Sequence, residues 1–143
     1  MKTATAQSVI AAINETLQTG AASPQAAKVI ILGQTNFEAL SDDEKWQFII
    51  WLLSWFRIMD QAHQHQLLGN IDSSVWDGYF KHLQGTLRSE SVQQWWLTRR
   101  MIFTPAFREL IDAEVNSESS EDFVLPPLDI IAVMQRDPDT RVS

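Results

Sequence analysis

The chain has 143 residues, 45% of them hydrophobic, no cysteine, and a formal net charge of −7. That length suits one domain with its own core, and the missing cysteines exclude disulfides, a thiolate nucleophile and a cysteine-based zinc site. Residues 1–71 hold four basic and six acidic groups, 72–108 five and three, and 109–143 two and nine. The C-terminal part thus carries −7 and disfavours nucleic acid as a partner, because phosphate is recruited by clustered Lys and Arg.

Helix signals are dense along the chain, while period-two alternation and Asn-Gly or Asp-Gly turns are missing. The N-terminus lacks the apolar stretch of a signal peptide. A first helix is predicted over about Thr5–Leu17, with Val9, Ile10, Ile13 and Leu17 on one stripe and Gly20 as terminator. Ser23-Pro24 supplies a cap and a proline at the first helical position. It opens a short helix predicted to end near Leu32, at Gly33.

Ser41-Asp42-Asp43-Glu44 reads as a capping box, in which Ser41 accepts from the Glu44 amide and Glu44 reaches back to the Ser41 amide. The helix it opens is predicted over Asp42–Leu68, about 40 Å at 1.5 Å per residue, with Gly69 as its left-handed cap. The apolar run Trp46–Phe56 inside it is 11 residues long, where a membrane span takes about 20. Apolar residues from Trp46 to Met59 cover nearly its whole circumference, which suits the centre of a bundle or a partner interface.

Asp72 is the cap expected for the next helix. Ile71 before it and Trp76 four residues after it stand at the hydrophobic-staple positions. Ser91-Val92-Gln93-Gln94 reads as a second capping box, opening a helix over about Val92–Phe103. Thr104-Pro105 repeats the cap-then-proline signal and opens a helix to about Val115. From Ser117 the chain turns to Ser, Glu and Asp, so residues 1–116 read as a helical bundle. Residues 117–143 read as an acidic linker and tail with at most partial order around 123–134.

Leu40-Ser41-Asp42-Asp43-Glu44, then Gly69 with Ile71-Asp72 and Trp76, then Trp95-Trp96 with Arg99-Arg100, and last Phe103-Thr104-Pro105-Ala106-Phe107-Arg108 form a joint pattern over about Ala26–Ala113. It resembles a family of uncharacterised bacterial helical domains, many of which follow membrane helices and for which no activity is assigned. The resemblance implies an all-α fold and brings a membrane-proximal role into view, although this chain has no spanning segment.

Three constellations are candidates for chemistry. Asp60 and His63 lie three apart on one helix face, as in carboxylate–histidine half-sites for metals, and His65 follows. The plain reading is a polar helix end with hydrogen-bonded imidazoles. Arg99 and Arg100 beside Trp95 and Trp96 suit an anionic ligand by bidentate contact. Their plain reading is internal pairing with Asp60 on the long helix or with Glu109 and Asp112 on the last, and Asp60 is the expected interhelical partner of one of the two arginines. All six tryptophans fall between Trp46 and Trp96, where buried indoles make a core before they make a binding groove. No nucleophile motif or phosphate-binding glycine loop is present.

The expectation is an all-α, compact bundle of five or six helices around the long central helix. Its function is expected to be a non-catalytic interaction or regulatory module in the cytoplasm, with a protein partner or homo-oligomer, no cofactor and no nucleic acid. The alternatives are a small-molecule or lipid sensor using the Trp/Arg region and a metal-dependent enzyme using Asp60, His63 and His65.

Overall fold

The computed structural model describes residues 4–117. Of the expected tail at 117–143 everything after Ser117, including 123–134, lies outside the described residues. The described residues form six α-helices and no strands, an all-α bundle. They are α1 (Ala4–Ala21), α2 (Pro24–Thr35), α3 (Asp42–Leu67), α4 (Ser73–Thr86), α5 (Glu90–Arg99) and α6 (Pro105–Val115). Short 3-10 turns at Phe37–Ala39 and Arg100–Ile102 lead into α3 and α6.

Helix α3 is the axis of the bundle, and α1, α2, α4 and α6 pack along it. Its capping box forms in full: the Glu44 amide donates to Ser41 Oγ at 3.3 Å and the Ser41 amide to Glu44 Oε1 at 2.9 Å. The donated Ser41 hydrogen bond is the main reason that the Glu44 carboxyl sits below its ordinary range. At the other end Gly69 takes φ +79°. The Asn70 amide then donates to the His65 carbonyl and the Gly69 amide to that of Gln66, which is the Schellman closure. Among the described residues no helix is long and apolar enough to cross a membrane.

The core is aromatic. Phe56 of α3 meets Trp95 at 4.8 Å and Trp96 at 5.8 Å between ring centres, while Phe103 and Phe107 close the cluster from the start of α6. Phe48, Trp51 and Trp55 stack along α3. Ile71 and Trp76, at the staple positions of α4, are both buried. Asp72 caps α4 by backbone conformation, without a side-chain cap hydrogen bond.

Two expected helix ends are overturned. Helix α1 runs through Gly20, and a Cβ there would meet Ile30 at 2.9 Å. Helix α2 runs through Gly33, where a Cβ would lie 2.2 Å from the Phe48 ring. Both glycines are contact points between helices, so close packing and not chain termination accounts for them.

The second expected capping box is overturned as well. Helix α5 starts at Glu90, with Ser89 as its N-cap, and ends at Arg99, short of Phe103. The Ser91 hydroxyl donates to the Gly33 carbonyl at 2.6 Å and that of Ser89 to the Gln34 carbonyl at 2.7 Å. The last carbonyls of a helix have no partner within it. Two serines at the start of α5 satisfy those of α2, so Ser91 bonds across the bundle instead of capping its own helix.

Candidate functional site

Asp60 is 6% exposed and His63 8%, so both are buried on one face of α3. The Asp60 carboxylate is held chiefly by the start of α6. It accepts from the Thr104 amide at 2.9 Å and the Thr104 hydroxyl at 2.7 Å, and from Gln64 Nε2 at 3.2 Å. Thr104 is the N-cap residue of α6 but makes no side-chain cap bond of its own. Asp60 therefore places a carboxylate from another helix at the positive end of α6.

His63 lies against Trp76 at 5.2 Å and Phe107 at 6.2 Å between ring centres. Burial there pushes its imidazole below the ordinary pKa, and the neighbouring Asp60 charge opposes that only in part. Its Nδ1 is buried without a hydrogen-bond partner among the described residues. His65 is set apart at the helix end, where its Nδ1 lies 3.3 Å from Asn70 Nδ2. Among the described residues no group of three or more His, Cys, Asp or Glu side chains converges to hold a metal ion.

The expected pairing of Asp60 with Arg99 or Arg100 is corrected by the geometry. Arg100 pairs with Asp112 of α6: its Nε donates to Asp112 Oδ1 at 3.0 Å and its Nη2 to Oδ2. The indole N–H of Trp96 donates to the same Oδ1 at 2.9 Å. Hydrogen bonding from Arg100 is the chief cause that holds the Asp112 carboxyl below its usual range. Asp60 is already occupied by the α6 start, and the 3-10 turn carries Arg100 to the side of α6 that bears Asp112.

Of the four Trp/Arg residues, Asp112 thus joins Trp96 and Arg100. Trp95 is buried against Phe56 and Phe103, and Arg99 is exposed. Around them the end of α5 presents Leu97 and the turn to α6 presents Met101 and Ile102 to solvent, each more than half exposed. Asp112 is one of the two α6 acids, with Glu109, that the sequence offers as partners for the arginines, and the fold selects it through residues 12 and 16 positions earlier.

A second solvent-facing apolar region lies on α3, where Trp46 is 62% and Ile50 61% exposed. Beside it a groove of about 410 Å³ runs between α1 and α3, lined by Glu15, Thr16, Thr19, Gln47, Ile50, Trp51 and Ser54. Compared with known proteins, the chain matches no family model, no curated protein and no solved structure.

Proposed function

We propose that the chain is a non-catalytic helical interaction module that associates with itself. The observation that carries this reading is the exposure of Trp46 and Ile50 on the central helix, whose Phe48, Trp55 and Phe56 are buried. A large apolar side chain left in water one helical turn from another is a feature of association surfaces. The occupation of Asp60 by Thr104 and Gln64 weighs against a metal-dependent reaction there, because those bonds already use three of the roughly four acceptor sites of the carboxylate.

Sedimentation velocity over a wide concentration range tests the reading. The expected result is a reversible dimer that the double substitution Trp46→Glu/Ile50→Glu abolishes while far-UV circular dichroism keeps the helical signal. A monomer at every concentration would overturn it.

A further inference from the structure

Asp43, Trp46, Ile50, Leu53 and Arg57 follow one another on α3 at alternating spacings of three and four residues. At about 100° per residue they form one narrow stripe. Asp43, Trp46, Ile50 and Arg57 are exposed and Leu53 is half-buried. The stripe has an internal symmetry: Asp43 stands seven residues before Ile50 and Arg57 seven after it. Among the described residues neither charge forms an ion pair.

We propose that this stripe docks against the same stripe of a second copy, antiparallel, about a two-fold axis passing at Ile50. The inference rests on the self-association read from Trp46 and Ile50. In this register Ile50 meets Ile50 of the second copy and Asp43 meets Arg57. A two-fold axis makes every contact occur twice, so one complementary match yields two ion pairs flanking an apolar centre.

Charge selects this register over its neighbours. Sliding the helices so that Ile50 faces Leu53 sets Trp46 against Arg57 and leaves Asp43 opposite the buried position 60, with no cation to meet. Sliding them the other way, so that Trp46 faces Ile50, leaves Asp43 opposite Leu53 and carries Arg57 past the start of the second copy's α3. Like or unmatched charges at a contact disfavour it and fix register. The central register also aligns Trp46 with Ser54, which lines the groove of about 410 Å³ between α1 and α3. The indole of each copy then seats at the rim of the recess beside Trp51 of the other.

The stripe spans about 21 Å at 1.5 Å per residue. A single helix pair of that length lies at the low end of stable interfaces, below the roughly 1,600 Å² of a standard complex. The dimer is therefore weak and reversible.

The chain has no cysteine, so introduced thiols report on register directly. Under mild oxidation of the full chain, Ile50→Cys forms a disulfide-linked dimer. Trp46→Cys does not link to itself but links to Ser54→Cys when the two proteins are mixed. Asp43→Arg weakens association by about tenfold, as expected for two reversed surface pairs, and the swap Asp43→Arg/Arg57→Asp restores it. A dimer that links through Ile50→Cys with Leu53→Cys, or fails to link at Ile50→Cys, overturns the register and leaves self-association standing. A monomer under all conditions overturns both.

Discussion

Replacing Asp60 by alanine removes the contact that ties α3 to the start of α6. The carboxylate accepts two short hydrogen bonds from Thr104 and a longer one from Gln64, at a site only 6% exposed. A hydrogen bond to a charged group contributes about 1.5–3 kcal/mol, and removing its acceptor strands the Thr104 amide. The bonds are not additive, because all end on one carboxylate. Asp60→Ala is therefore expected to cost about 3–4 kcal/mol, a large share of the roughly 5–15 kcal/mol that stabilises a domain. Asp60→Asn keeps the shape. Its carbonyl accepts from the Thr104 amide and its NH2 group donates to the Thr104 hydroxyl, so the charge at the helix start and the longer Gln64 bond are lost, about 1–2 kcal/mol. Urea unfolding followed by tryptophan fluorescence and circular dichroism measures both. In a double-mutant cycle, Asp60→Ala and Thr104→Val couple by more than about 0.5 kcal/mol. A loss below about 1 kcal/mol for Asp60→Ala, or equal losses for Ala and Asn, would refute the reasoning.

His63 imposes a pH dependence on stability. Its folded pKa lies below the unfolded value of about 6.5, so its contribution is complete above that pH and is lost as pH falls through the folded pKa. His63→Phe, which keeps a ring against Trp76 and Phe107, should flatten that part of the profile. A wild-type slope retained in the variant would place the effect elsewhere. Two glycines of apparently equal rank in the sequence should respond with opposite sign. Gly33→Ala drives a methyl into the Phe48 ring and is expected to cost about 1–3 kcal/mol. Gly78→Ala meets nothing within 4 Å and gains up to about 1 kcal/mol of helix propensity. Thermal unfolding of the two variants compares them, and a shared sign would contradict the packing at Gly33.

Ser41, Glu44 and Gly69 were legible because their contacts lie within a few residues of chain. A capping box closes over four residues and a Schellman motif over six, so the local sequence contains all the participants. The apolar period of α3 and the cap-then-proline signals at Ser23-Pro24 and Thr104-Pro105 are local in the same way, and the helices they announce are present. The buried positions of Trp76, Trp95 and Trp96 follow from the size and hydrophobicity of the indole.

Ser91, Gly33 and Asp60 were not legible, for one physical reason. Each is decided by a contact made far away in the sequence. Ser91 bonds Gly33 across 58 positions, and Asp60 bonds Thr104 across 44. A hydroxyl or carboxylate in the interior goes to whichever orphan helix end the fold brings to it, because a buried backbone group without a partner is costly. By itself the sequence determined the helices, most of their caps and the aromatic composition of the core, all set by spacing and by water's exclusion of apolar surface. Only the tertiary structure decided which polar side chains join helices, which glycines are contact points, and that Trp46 and Ile50 stay outside, since an apolar residue's side of a helix carries no mark of whether another helix will cover it.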